Sequence, residues 1–230
     1  MRVFFKGQGL LAVTSDGSID FTCDDFDAPL TVAQRAYLRK KCEIDIPRVF
    51  WRRQIHGDNI LVARGGVGAS KGCSDADAYI TDEKNLPIAI RTADCVPVFI
   101  FDPCRRVISL AHAGWQGTYK AIAAKTARRM QEEYAIQFSD LKIVLGPGIR
   151  DCCYQVGEEF CDYFPSYVKE RGGHLYLDLI SANRDQLLQS GVQQANILDS
   201  GICTCCNKNY FSFRRDGAKA GRMISLMMLV

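Results

Sequence analysis

VPVFIFDPCRRVISLA, residues 96–111, is the stretch that decides how this chain folds. Val96–Phe101 and Val107–Ala111 are continuous apolar runs, which fit strands buried on both faces, and Asp102-Pro103-Cys104-Arg105-Arg106 has the chemistry of a tight turn between them. Downstream, Thr118–Tyr134 places Tyr119, Ala123, Ala127, Met130 and Tyr134 on one face, with Lys125, Arg128, Arg129 and Glu132 opposite. That spacing predicts an amphipathic helix. Leu141–Leu145 reads as another buried strand ending at Gly146-Pro147-Gly148, and Ser181–Gln189 as a helix capped by Ser181 and stopped at Gly191. Tyr210–Arg214 and Met223–Val230 are strand-like.

Upstream, Ala78–Thr81 and Pro87–Ile90 are short apolar strands, and Arg48–Arg53 and Asn59–Ala63 read as strands around a turn at His56-Gly57-Asp58. RGGVGASKGCSDAD, residues 64–77, reads as a glycine-rich loop, and Thr31–Cys42 as a short helix capped by Thr31. Mixed strands with flanking helices predict an α/β sandwich, with helices covering a largely β core.

With 230 residues, 47% hydrophobic and without linkers or repeats, the chain reads as one domain, residues 1–230, with a sizeable core. Its net charge of +3 gives no electrostatic case for a nucleic-acid partner, so any anion must be held locally. No stretch approaches the ~18 apolar residues that would span a bilayer, so no membrane partner is expected. Lys6 and several glycines interrupt the apolar start of the chain, which therefore lacks the centre of a signal peptide. Eleven cysteines, an odd number with adjacent pairs at Cys152-Cys153 and Cys205-Cys206, do not suit a disulfide framework. These features predict a cytoplasmic protein whose thiols are either packed or chemically active.

Three stretches set metal-capable side chains at strand edges: Gln54-Ile55-His56-Gly57-Asp58, Thr92-Ala93-Asp94-Cys95 and Ala111-His112-Ala113-Gly114-Trp115. They hold two of the three histidines in the chain. One thiolate and two imidazoles form a familiar ligand set for Zn²⁺ with a position left for water, and Gly57 and Gly114 allow close approach. The same residues also suit satisfied strand-end histidines and one more buried cysteine.

The stretches QIHGDNI, SDADAYIT, RTADCVPVFIFDP, VISLAHAGWQGTYKAI, LGPGIRDCCYQVGEEF, YLDLISANRDQL and CTCCNKNYFSFRRDGAKAGRMISL run in order from about residue 54 to 226. Through them the chain resembles the YfiH-like proteins, also called the multicopper polyphenol oxidase (laccase) family and regarded as purine nucleoside phosphorylases. The resemblance implies an α/β/α sandwich with a mixed sheet and a catalytic metal, zinc or alternatively copper, held by His56, Cys95 and His112. It implies phosphorolysis of adenosine, inosine, guanosine and 5′-methylthioadenosine, together with adenosine deamination. Purine nucleoside and phosphate are then the small-molecule partners.

Within the matched motifs, Arg91, Arg214, Arg215 and Arg222 are the candidates for phosphate, because guanidinium forks suit its oxygens. Asp94, next to Cys95, is the candidate general base or orienter of an imidazole, and Asp77 a second candidate for that work or for substrate contact. Trp115 and Tyr154 are candidates to stack on a purine. His174 is expected in a loop away from the metal. Cys152-Cys153 and Cys203-Thr204-Cys205-Cys206 lack the spacing of a zinc knuckle and have no histidine near, so packing is their expected role.

The chain departs from the family in its first fifty residues, which lack a Ser/Thr-Arg-Gly-Gly turn, and at Gln116, which stands in place of the usual arginine. The second change removes a cation near the metal and shifts weight from phosphorolysis toward deamination or another hydrolysis. Copper-dependent phenol oxidation, amide hydrolysis of a cell-wall precursor and a non-catalytic role are the alternative functions.

Overall fold

A computed structural model describes residues 1–230 apart from 8, 24, 26, 27, 47 and 66–74. Most of the predicted glycine-rich loop therefore lies outside the described residues. In chain order the strands are β1 (Arg2–Gly7), β2 (Leu10–Thr14), β3 (Ile60–Val62), β4 (Ala78–Thr81), β5 (Ile88–Thr92), β6 (Val96–Asp102) and β7 (Val107–Ala113). They continue with β8 (Lys142–Leu145), β9 (Gln155–Val156), β10 (Val168–Arg171), β11 (His174–Leu177), β12 (Ile197–Asp199) and β13 (Met223–Leu229). The helices are α1 (Val32–Cys42), α2 (Trp115–Tyr119), α3 (Ile122–Tyr134), α4 (Phe160–Tyr163), α5 (Leu179–Gln189) and α6 (Phe213–Asp216).

The fold is mixed α/β. A six-stranded sheet has the order β12-β8-β6-β7-β4-β3, and a four-stranded sheet the order β1-β2-β13-β5. β12 runs parallel to β8 and β3 parallel to β4, whereas the remaining pairs of the larger sheet are antiparallel. β9, β10 and β11 form a small third sheet.

Alternation along the strands explains the layers, since successive side chains leave a strand on opposite faces. From β6, Val98 and Ile100 join a cluster with Ala123, Ala127 and Met130 of α3 and Ile180 and Leu187 of α5. Phe99 and Phe101 point the other way, into a cluster with Ile88 and Ile90 of β5 and Met227 and Leu229 of β13. The smaller sheet then presents Leu11, Val13, Ala89, Leu226 and Met228 to Leu38 and Cys42 of α1. The two large sheets are stacked on each other with helices outside both, so the β layer of the expected sandwich is double. Burying side chains of this size stabilises by roughly 1.5–3 kcal/mol each.

Several local expectations change. Among the described residues Arg48–Arg53 forms no strand: Phe50 bridges to Ile88, with Phe50 N–H donating to Pro87 O and Ala89 N–H to Phe50 O, and Arg53 O separately accepts the Ala76 N–H. The helix expected over Thr118–Tyr134 is broken, because Ala121 is left-handed at φ 58° and separates α2 from α3. α5 begins two residues earlier than expected, capped by Asp178, whose carboxylate accepts the Ser181 N–H. Tyr210–Arg214 is not a strand; Ser212 caps the short α6 instead. Thr31 does cap α1, in a reciprocal box with Gln34.

Candidate metal centre and active site

Antiparallel pairing of β6 with β7 sets Val96 opposite Ala113, which brings Cys95, one residue before β6, beside Gly114, one residue after β7. A Cβ at Gly114 would lie 2.9 Å from Cys95 Sγ and 3.2 Å from His56 Cδ2, so only glycine fits between the strand ends. His112 lies on β7 and is buried. The rings of His56 and His112 meet edge to face, with centroids 4.8 Å apart. One ligating atom from each of His56, Cys95 and His112 falls within 4.8 Å of the others.

Asp77, fully buried just before β4, organises both histidines. Its Oδ1 sits 2.8 Å from His112 Nδ1 and accepts the His56 N–H at 3.0 Å. Its Oδ2 accepts the N–H groups of Ile55 at 3.2 Å and Gly57 at 2.8 Å. Three consecutive amides converging on one carboxylate hold His56 in the left-handed region at φ 57°. Burial alone would raise the Asp77 carboxyl; the hydrogen bond and charge of His112, with the Gly57 and Ile55 amides, outweigh it and hold it below the usual carboxylate range.

Burial would likewise raise the Cys95 thiol, but the charge of His112 and hydrogen bonds from His112 and His56 bring it down to about 6. Burial disfavours protonated His112, while Cys95 and Asp77 favour it more strongly and raise its basicity. The donor set fits a zinc-type ion, which takes one thiolate and neutral imidazoles. With Nδ1 committed to Asp77, Nε2 is the nitrogen of His112 left to ligate, an arrangement common around metal-bound histidine.

These residues open into a pocket of about 620 Å³ lined also by Arg91, Trp115, Tyr154, Leu179, Phe213, Arg214 and Arg222. Trp115 packs edge to face on Phe160, with centroids 5.1 Å apart. The Arg214 guanidinium stands 5.2 Å over the Tyr154 ring and donates to Gln155 O at 2.7 Å. Arg91 donates to Cys23 O, and Arg222 to Ala220 O and Gly221 O, from within the pocket wall. Thr22 also reaches the wall, so the atypical N-terminal region contributes to the pocket.

Five sequence-based assignments change. Asp94 does not orient an imidazole: its carboxylate accepts Thr204 Oγ1 at 2.7 Å, Ser212 Oγ at 3.1 Å and Arg214 N–H at 2.6 Å. That task falls to Asp77, which in turn has no exposed surface for substrate. Arg215 is absent from the pocket wall; it donates to the carbonyls of Thr204, Cys205 and Tyr210 and pairs with Asp216, which fixes the chain around α6. His174 lies in strand β11, exposed, rather than in a loop. Gln116 is exposed and outside the pocket lining, so the change there leaves the pocket's own arginines in place.

Four of the cysteines at which the sequence pointed to packing form a second cluster. Cys152, Cys153, Cys203 and Cys206 bring their sulfurs within 4.8 Å of one another. The available signal was the two-residue gap between Cys203 and Cys206, a spacing suited to metal ligands.

Comparison with known proteins gives consistent likenesses. The family model described as multi-copper polyphenol oxidoreductase laccase matches residues 7–230. A purine nucleoside phosphorylase of Clostridium acetobutylicum is 35% identical over 190 residues, 80% of this chain and 78% of that one. The purine nucleoside phosphorylase YlmD of Bacillus subtilis is 32% identical over 218 residues, 88% of this chain and 78% of that one. The crystal structure of YlmD from Geobacillus stearothermophilus superposes with a TM-score of 0.82 at 30% identity, covering 96% of this chain and 92% of that one. That of YfiH from Bacillus licheniformis gives 0.84 at 29%, covering 96% and 93%.

Proposed function

The chain belongs to the multi-copper polyphenol oxidoreductase laccase family, and from that premise we propose that it is a zinc-dependent purine nucleoside phosphorylase with adenosine deaminase activity. The observation that carries this reading is the joining, in one pocket, of the His56, Cys95 and His112 ligating atoms with arginines and aromatic rings. A volume of about 620 Å³ suits a nucleoside with phosphate beside it. The substrates proposed are adenosine, inosine, guanosine and 5′-methylthioadenosine.

In phosphorolysis a phosphate oxygen bonds to C1′ of the ribose as the bond from C1′ to the purine nitrogen breaks, giving ribose 1-phosphate and the free base. Arg91, Arg214 and Arg222 are the groups assigned to hold the phosphate in line with that bond. Trp115 and Tyr154, which line the pocket, are the rings assigned to the base. His56, Cys95 and His112 are the assigned metal ligands, and Asp77 keeps His112 in the tautomer that ligation requires. A bound zinc ion would supply Lewis acidity and water activation. In the deaminase reaction, water replaces the C6 amino group of adenosine and ammonia leaves.

Copper-dependent phenol oxidation fits the residues poorly. Four-electron reduction of dioxygen needs several copper centres, and a chain with three histidines, one of them exposed in β11, has imidazoles for one ion only.

The test is to incubate zinc-supplemented protein with adenosine, with and without phosphate, and to resolve the products by chromatography. Adenine and ribose 1-phosphate that form only with phosphate, and inosine in both samples, are expected. No product in either sample overturns the reading.

A further inference from the structure

About 50 residues of chain separate Cys152-Cys153 from Cys203 and Cys206, yet the fold lays the two segments against each other. Gly148 bridges to Cys203, and Thr204 N–H donates to Gly148 O at 3.1 Å. At the end of this pairing Cys206 Sγ lies 3.2 Å from Cys153 Sγ and 3.5 Å from Cys152 Sγ. Cys203 is buried beneath them, whereas Cys152 and Cys206 are exposed. The geometry points to a second metal site, in which these four thiolates hold a zinc-type ion as a structural staple, separate from the His56, Cys95 and His112 cluster.

Three arguments favour an ion over the alternatives. A disulfide uses two sulfurs at about 2.05 Å and would leave the other two without a role. Simple packing does not require four polar-capable sulfurs to converge near the surface, where Cys206 meets both members of an adjacent pair. A tetrahedral zinc ion with Zn–S of about 2.3 Å separates its sulfurs by about 3.8 Å, which lies between the observed approaches and the 4.8 Å that encloses all four. Only small movements complete the coordination shell, and each thiol releases its proton to solvent as it ligates.

The staple has an effect on the pocket. Cys153 and Tyr154 share one turn, both donating their N–H groups to Arg150 O at 2.9 Å, so fixing the cysteine also fixes the ring of Tyr154 in the pocket wall. On the other segment Thr204, next to Cys203, holds the Asp94 carboxylate that accepts the Arg214 N–H. The staple therefore ties together the two supports under Tyr154 and Arg214.

The test measures metal rather than turnover, so its outcome is independent of the proposed catalytic reading. Protein prepared with zinc under reducing conditions is analysed for zinc per chain as wild type, as Cys95→Ala, and as a Cys152→Ser/Cys206→Ser double variant whose substitutions fall on exposed positions. The double variant is expected to lose one equivalent relative to wild type, and Cys95→Ala to retain that equivalent. Cobalt(II) titrated into Cys95→Ala, with no thiol of the cluster altered, should give the intense sulfur-to-metal charge-transfer and visible bands of a tetrathiolate. Unchanged zinc content in the double variant, cobalt spectra without these bands, or a mass two hydrogens low in the reduced-buffer wild-type protein would each overturn the inference.

Discussion

Replacing Asp77 by Asn keeps the size of the side chain and removes its charge and half of its acceptor capacity. In the native protein four donors converge on the two carboxylate oxygens: His112 Nδ1 and the His56 amide on one, the Ile55 and Gly57 amides on the other. An amide side chain has one acceptor oxygen, so either rotamer turns an NH₂ group toward two donors. A buried donor left unmet costs about 1–3 kcal/mol, and the asparagine side chain leaves at least one unmet in either rotamer. For a chain of this size each kcal/mol lowers Tm by roughly 2–4 °C, which gives a loss of at least about 2 °C. The rotamer that spares the Ile55 and Gly57 amides leaves the His56 amide unmet and presents NH₂ to His112 Nδ1, which favours the tautomer protonated at Nε2 and removes a ligating lone pair. The other rotamer releases the left-handed turn at His56. Either way zinc affinity should fall about 10–100-fold, the usual effect of losing an orienting carboxylate. Calorimetry and competition against a chromophoric chelator measure both quantities. An Asp77→Asn protein with Tm within a degree and zinc affinity within twofold of wild type would refute the assignment of Asp77 as the organiser of both histidines.

Gly114→Ala places a methyl group 2.9 Å from Cys95 Sγ, so the strand ends must part, and zinc retained at that site through gel filtration should drop. Arg214→Ala should raise the KM for phosphate about 10–100-fold, the effect of one charge-assisted hydrogen bond of about 1.5–3 kcal/mol, whereas Arg215→Ala should lower Tm with little change in that KM; steady-state kinetics separates the two. Asp178→Ala removes the cap of α5 and should cost about 1 kcal/mol in urea unfolding near neutral pH. Burial opposes ionisation of Asp178, but the Ser181 amide and Lys169 hold its carboxyl below the ordinary 3.8. The unfolded chain therefore takes up the proton first, and the difference between wild type and Asp178→Ala, full above about pH 5, should shrink as pH falls through 3.8.

The parts of the fold that could be read in the chain are those where one physical effect dominates. β6 and β7 are covered on both faces, so nearly every position is apolar and the run itself marks the strand. Arg48–Arg53 misleads because Val49, Phe50 and Trp51 are buried by side-chain packing, while its backbone meets neighbours at separate points, Phe50 against Ile88 and Arg53 O against the Ala76 N–H, and not in a ladder. The break between α2 and α3 is hidden because alanine, a strong helix former, occupies the left-handed position at Ala121, which tertiary packing imposes. β1 and β2, and the small sheet of β9 to β11, carry no comparable run; Val3 is 42% exposed and β10 is mostly so.

The site divides in the same way. His56, Cys95 and His112 stand out by residue type, and the turn chemistry next to each is local. Which aspartate serves them depends on which strand lies alongside: β4 pairs with β7 and sets Ala78 opposite Ala111, so its neighbour Asp77 reaches His112, whereas Asp94, adjacent to Cys95 in the chain, turns toward Thr204 and Ser212. Arg214 and Arg215 are indistinguishable in composition, and only the short turn of α6 sends one to the pocket and the other to backbone carbonyls. The four-thiol cluster depends on the pairing of segments about 50 residues apart, and the local gap of two residues between Cys203 and Cys206 supplies only half of it.

The central claim is that the His56, Cys95 and His112 cluster is the catalytic centre of a nucleoside phosphorylase. The most direct measurement is release of hypoxanthine from inosine by wild type and Cys95→Ala, side by side, with and without phosphate. Phosphate-dependent release by the wild type, lost by at least about a hundredfold in a Cys95→Ala protein of native circular dichroism, is the predicted result. Equal release by both proteins, or release by the wild type that ignores phosphate, would contradict it.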